Sequence, residues 1–348
     1  MYQLFEPARL GPMELRNRII RSATNEHLSM PDGQLSTTWV ETLRELAEGG
    51  VGLVITGHLT VDRKQRADEG QPVLDGKTDR ALLAQCAREI HRADGRIVVQ
   101  LSHSGLKAPE KVNGVAPVGP ADFTAQGLQS LREQFCRAAQ MCQTAGFDGV
   151  QVHCAHGYLL SSFLSPKLNT RSDAYGGTLE HRFLLIREIL EAIRGECGDD
   201  FALLVKVDQD VCGDLHGLLD LLEGVGVDGV EVSGLDFYNR PGEKGPFYLR
   251  QVVEAKRGIG LPISLVGGVF CREDAQCVLD AGIPFVSLSR SLICQPDFVK
   301  RMAQGEESKC LACNQCFTVY RQRPVRCVLH EEEIPLLDTL FSAGYVKE

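Results

Sequence analysis

The chain has 348 residues, enough for two domains or one large barrel, and its 43% hydrophobic and 24% charged residues are ordinary for a globular protein. Those values exclude disordered, collagenous and low-complexity classes. Its 37 basic and 46 acidic residues give a formal charge of −9 with no long basic run, which argues against a nucleic-acid partner. Arg9, Glu14, Arg16 and Arg18 interrupt any signal-like run near the start, and no stretch approaches the roughly 20 apolar residues of a membrane span. A cytoplasmic protein acting on a small molecule, with no membrane contact, is expected. The sequence leaves room for a homo-oligomer.

Short apolar, β-branched runs alternate with helical patterns along the chain. Strands are expected at Arg18–Ala23, Val51–Gly57, Arg96–Leu101, Phe147–His153, Ala202–Val207, Val227–Ser233, Pro262–Val266 and Phe285–Ser289. Helices are expected at Thr38–Glu48, Arg80–Ala93, Leu128–Ala145, Leu179–Arg194, Leu215–Glu223, Leu249–Arg257, Arg272–Asp280 and Asp297–Ala303. "EGGVGLVITG", "AGFDGVQVH", "VGVDGVEVSG" and "AGIPFVSLSR" share one grammar: a small residue or glycine stops a helix, then a hydrophobic run follows. Such a run suits a strand buried on both faces. Eight strand–helix units point to an α/β protein of the (β/α)8, or TIM-barrel, class. An open doubly wound sheet is the alternative, but no GxGxxG follows the first strand and the regular units favour closure. Long excursions are expected at Arg63–Lys77 and Lys107–Ala125. The barrel is assigned to residues 1–304 and a short cysteine-rich tail to 305–348.

Barrel chemistry collects at the carboxyl ends of the strands. Here those ends read "SATNE", "TGH", "QLSH", "VHCAHGY", "KVD", "SG", "VGG" and "LSR". Gly267 and Gly268, with Ser289 and Arg290, close strands seven and eight, where barrels commonly bind phosphate. Lys206 ends strand five inside the rim, where a cation needs an anionic partner. His153, His156 and Tyr158 follow strand four. Two imidazoles beside a phenol suit binding of a carbonyl oxygen and delivery of a proton. A zinc reading of the two histidines lacks a third ligand at suitable spacing.

These motifs resemble the Old Yellow Enzyme family of FMN-dependent oxidoreductases. The likeness runs through "LFEPARLGPMELRNRI", "VVQLSHSG", "AGFDGVQVHCAHGYLLSSFLSPKLNTRSDAYGGTLEHRF" and "LVGGV…FVSLSR…QPDF", over residues 2–304. The resemblance implies FMN at the rim, with NADH or NADPH as reductant and substrate taking the same face in turn. It implies that Gln100 contacts the flavin pyrimidine ring, Lys206 lies near N1 and O2, and Gly268, Ser289 and Arg290 grip the phosphate, beside Gly267. It further implies that His153 and His156 hold the substrate's carbonyl oxygen and that Tyr158 donates the proton. Ala23, Thr24 and Asn25 fall where the family often has a proline followed, two residues on, by a residue that tunes the flavin. His58 stands where a small alanine is common and is expected to touch the flavin edge. Asn169, Arg171, Asp173 and Arg182 match the family as loop scaffolding.

Of thirteen cysteines, nine are scattered and are expected to behave as small buried hydrophobes. Cys310, Cys313, Cys316 and Cys327 crowd into eighteen residues, which points to metal before disulfide. The spacing is similar to the cluster segment of the 2,4-dienoyl-CoA reductase and trimethylamine dehydrogenase branch, which implies a [4Fe–4S] centre. Zinc is the rival, since four thiolates satisfy it as well. The sequence ends at Glu348, so a relay is expected to have no partner in this chain. Four functions therefore compete. They are reduction of an activated, α,β-unsaturated alkene, oxidation of an amine-type donor through the cluster, Schiff-base lyase chemistry on Lys206, and a metal-stapled interaction protein.

Overall fold

Near the N-terminus lies an antiparallel hairpin of β1 (Ala8–Leu10) and β2 (Met13–Leu15), too short to show a hydrophobic period in the sequence. Gly11 turns it at φ 55°, the positive value that a two-residue hairpin turn with glycine first requires. Leu10, Met13 and Leu15 then pack with Ile20, Leu53, Ile55, Val98, Leu204 and Phe285, sealing the barrel's lower interior. The computed structural model describes residues 3–318 and 324–330; residues 319–323 and 331–348 of the expected tail lie outside it.

The barrel strands are β3 (Ile19–Arg21), β4 (Leu53–Thr60), β5 (Arg96–Ser102), β6 (Gly149–Cys154), β7 (Ala202–Asp208), β8 (Gly229–Ser233), β9 (Ile263–Val266) and β10 (Phe285–Leu288). All pair in parallel, in chain order, and β10 closes on β3. Every expected strand and helix is present, with ends shifted by a few residues. The intervening helices begin on side-chain caps: Ser36, Asp79, Thr124, Thr178 and Asp214 each accept a backbone N–H of the first turn. Their apolar stripes, such as Leu131, Phe135, Ala138 and Cys142, bury against the outer faces of the strands. Among the described residues no helix is long and apolar enough to cross a membrane.

One irregularity serves the site. Ile55 pairs with Val98 but His58 pairs with Gln100, so β4 carries one extra residue there. A bulge re-aims the side chains that follow it. It brings His58 into the cavity beside Gln100. Gly57 sits at the bulge because an added Cβ would meet Glu26 Oε2 at 2.3 Å and Thr24 O at 2.5 Å.

Candidate active site

A cavity of about 590 Å³ opens at the carboxyl ends of the strands, within the range of small-molecule sites. It brings together the barrel residues expected from the sequence to bind cofactor or substrate: Ala23, Thr24, Asn25, His58, Gln100, His153, His156, Tyr158, Lys206, Gly267, Gly268, Ser289 and Arg290. Asn169, Arg171, Asp173 and Arg182 lie outside its lining. Asn169 and Arg182 instead bind the carbonyls of Phe163, Tyr175 and Leu164, as loop scaffolding does.

The floor is a buried polar layer. Lys206 Nζ lies 2.6 Å from Glu231 Oε1 and donates to Ser22 Oγ at 2.8 Å. Ser22 and Ser287 hydroxyls also donate to Glu231, at 2.6 and 3.0 Å. The anionic partner that Lys206 needs thus comes from the neighbouring strand, opposite it in register. Gln100 Nε2 donates to Gln151 Oε1 at 2.7 Å. Sequence reading missed Glu231, although a lone acid inside the apolar run "GVEVS" is a usable signal.

On the β6 side, His153 stands with its ring centroid 5.2 Å from His156 and 5.1 Å from Tyr158. Burial, reinforced by nearby cationic groups, pulls both imidazoles well below the ordinary histidine pKa, so they are neutral near pH 7. Burial likewise pushes the Tyr158 hydroxyl up. His156 turns on a left-handed φ of 62° that aims its N–H at Asp208 Oδ2, 2.5 Å away. Its Nε2 lies 3.0 Å from Ser233 Oγ and 3.4 Å from Asp208 Oδ1. Burial, with Asp210 adding to it, raises the Asp208 carboxyl from 3.8 to about 7, and its Oδ1 has no hydrogen-bond partner.

At the other end, Gly268 (φ 84°) allows a close backbone approach, since a Cβ there would meet Gly245 O at 1.6 Å. The Thr24 and Ser289 hydroxyls are 3.0 Å apart. Asn25 turns its amide to Asp68 at 2.7 Å. Arg290 is buried between the Phe270 and Phe247 rings and donates to Asn314 Oδ1 at 2.7 Å and Ala312 O at 3.3 Å. It fastens the cysteine segment to the cavity, which Cys316 also lines. Cys310, Cys313, Cys316 and Cys327 lie close enough to perturb one another electrostatically. Among the described residues no three His, Cys, Asp or Glu side chains surround a point that would hold a single metal ion.

The fold is a closed parallel (β/α)8 barrel with a polar cavity at the carboxyl ends of its strands. The sequence matches the NADH:flavin oxidoreductase / NADH oxidase family over residues 3–309, and the chain belongs to that family. It is 30% identical to a 4,4'-dithiodibutanoate disulfide reductase of Rhodococcus erythropolis, over 94% of this chain and 95% of that protein. It is 29% identical to a metal reductase of Desulforamulus reducens over 94% of this chain but only 53% of the relative, so it spans about half that protein's length. In structure it is similar to an old yellow enzyme homologue from Zymomonas mobilis, with a TM-score of 0.77 at 22% identity, covering 87% of this chain and 92% of that one.

Proposed function

We propose that the chain binds FMN in the rim cavity and, with NADH or NADPH as reductant, reduces the activated alkene of an α,β-unsaturated carbonyl compound. One observation carries the reading. His153, His156 and Tyr158 line the same cavity as a glycine-backed, arginine-lined end and a Lys206–Gln100 floor. The residues fit the group. Gly267 and Gly268 bring backbone to the cavity wall at the end where a phosphate would lie, Arg290 supplies a cation, and Ser289 and Thr24 supply hydroxyls. Lys206 and Gln100 suit the polar edge of the ring, with Ala23, Asn25 and His58 along the strand-one and strand-two side. His153 Nδ1 is a buried polar atom with no hydrogen-bond partner. Bound FMN would supply the hydride.

The protein's own groups supply the rest. His153 and His156 are neutral, so each offers one N–H. Two such donors on a carbonyl oxygen draw electron density from the alkene and make its β-carbon electrophilic. Neutral imidazoles have no spare proton to give, so the proton for the α-carbon falls to Tyr158.

The tail, residues 305–348, is a separate functional unit in this proposal, with Cys310, Cys313, Cys316 and Cys327 holding a [4Fe–4S] cluster. Arg290 fastens that segment to the cavity, and a cluster held there would supply the electron transfer that the second reading, oxidation of an amine-type donor, needs. The lyase reading loses support because Lys206 Nζ is engaged by Glu231 and Ser22.

The test is stopped-flow measurement of the two half-reactions after the heat-released chromophore has been identified. Tyr158→Phe is expected to slow alkene reduction by roughly 10²–10⁴-fold and to leave reduction of the flavin by NADH or NADPH near wild type. Equal slowing of both halves, or a released flavin other than FMN, would overturn the proposal.

A further inference from the structure

His58 is a buried imidazole that the reaction above does not use. The β4 bulge places it edge-on to Tyr158, with centroids 4.9 Å apart and Nε2 3.5 Å from the phenol oxygen. That separation is long for a hydrogen bond, as catalytic contacts often are before ligand binds. On its other side, Nδ1 lies 2.7 Å from Gln71 Nε2 and 3.1 Å from Ser102 Oγ.

The orientation of Gln71 is set by a backbone group. Its Oε1 accepts the Ala67 N–H at 2.6 Å, so the amide nitrogen must face His58. That nitrogen also reaches the His58 carbonyl at 3.1 Å and Ser102 Oγ at 3.2 Å. A donor at 2.7 Å from Nδ1 leaves no room for a proton on Nδ1. Burial pulls the His58 pKa down to about 4, with Asp68 opposing and His27 and Lys206 assisting, so the ring carries one proton near neutrality. That proton belongs on Nε2, the nitrogen facing Tyr158.

We propose that His58 is a positioning residue, a tautomer-locked donor whose Nε2–H occupies a lone pair of the Tyr158 oxygen. The phenol's own hydrogen is then left for the cavity. This inference rests on Tyr158 being the acid of the proposed function. When the Tyr158 O–H bond breaks and the new C–H bond forms at the substrate α-carbon, the electron pair stays on the phenol oxygen. His58 keeps its proton, and water later restores the phenol. A hydrogen bond to an anion is roughly twice as strong as one to a neutral group, so the His58 donor helps more after transfer than before. It therefore offsets part of what burial costs the phenolate. Gln71 acts one bond further out by fixing the tautomer.

The test reads the tautomer and the rate separately, on FMN-loaded protein. Nitrogen-labelled histidine and long-range proton–nitrogen correlation, assigned with His58→Gln, should show the His58 proton on Nε2. Gln71→Glu keeps an acceptor for the Ala67 N–H but replaces the donor, which should move the His58 proton to Nδ1 and let Nε2 capture the phenol hydrogen. Single-turnover alkene reduction should then slow by roughly 10- to 100-fold, the loss of one charge-assisted hydrogen bond. His58→Phe should slow it similarly, and His58→Gln, which retains a donor, should recover most of the rate. A proton on Nδ1 in the wild type would overturn the inference while leaving the role of Tyr158 standing. Full alkene activity in both Gln71→Glu and His58→Phe would also overturn it. Full activity in Tyr158→Phe, with His58 still protonated on Nε2, would instead overturn the acid assignment and the catalytic half of this inference with it.

Discussion

Asp208→Asn is expected to stabilise the protein at alkaline pH and to do little in acid. Asp208 is buried to 1% exposure beside His156, with Oδ1 unpartnered, and its carboxyl is raised from 3.8 to about 7. The groups facing it are Asp210, which raises it, and Lys206, Lys107 and the His156 N–H, which lower it less than burial raises it. Between about pH 4 and 7 the folded state holds a proton that the unfolded state has released. Stability therefore falls as pH rises through that window, is fully present below it, and is flat above it. At 1.36 kcal/mol per pH unit, the interval from 3.8 to about 7 amounts to about 4 kcal/mol as an upper bound.

Asparagine removes the titration and keeps an oxygen for the His156 N–H. The difference in unfolding free energy between wild type and Asp208→Asn, taken from urea titrations at a series of pH values, should move against the wild type by about 2–4 kcal/mol from pH 4 to 7. A difference that does not change with pH would refute the reasoning. So would one that moves in favour of the wild type, because Asp208 would then be an ordinary, stabilised carboxylate.

Four further outcomes are expected. Glu231→Gln, which strands the buried Lys206 charge, should lower stability by about 3–5 kcal/mol, while Lys206→Met with Glu231→Leu should recover most of that loss in the same denaturation assay. Arg290→Ala should weaken FMN retention by roughly 1.5–3 kcal/mol in fluorescence titrations of the apoprotein, and unchanged affinity would remove Arg290 from the phosphate grip. Replacing both His153 and His156 by Ala should preserve the flavin spectrum and abolish the long-wavelength band formed with a phenol; an undiminished band would take the pair out of the site. Anaerobically prepared protein should contain about four iron per chain, lost with FMN retained in Cys313→Ser, whereas one zinc per chain would make the tail a structural staple.

What was legible in the sequence was local. The small-residue stop followed by a hydrophobic run marks a helix end and the next buried strand within ten residues, and β4, β6, β8 and β10 follow from it. Rim residues were legible because each lies at the end of such a run. The hairpin was not, since three-residue strands carry no usable period and its apolar residues gain meaning only against the barrel floor. Partners across strands were equally hidden. Lys206 and Glu231 are brought face to face by register, and nothing near either residue names the other. Strand two was expected to end at Gly57, whereas β4 continues to Thr60 through its bulge, and only that extra residue sets His58 in line with Gln100. His58 accordingly packs against Tyr158 within the cavity lining, a relation that its place in "TGH" could not reveal. Gln71 lies in the Arg63–Lys77 excursion, where sequence pattern is silent.

The electrostatics of the rim decide what a pH–rate profile of this enzyme reports. Histidines beside a reacting carbonyl would ordinarily be suspected of any inflection near neutrality. Here burial keeps His58 near 4 and holds His153 and His156 well below their ordinary value, while the Tyr158 hydroxyl is pushed the other way. None of these groups changes charge near pH 7. Asp208 does, and it touches His156 through both the backbone N–H and the ring. Its ionisation would draw the His156 proton toward Oδ1 and away from a substrate oxygen, so alkene reduction should decline as pH rises through about 7. Reduction of the flavin by NADH or NADPH needs no polarised carbonyl and should lack that inflection. In Asp208→Asn the inflection should vanish from the alkene half-reaction. If it persists there unchanged, the titrating group is another residue, and the neutrality assigned to the buried histidines is the first premise to give way.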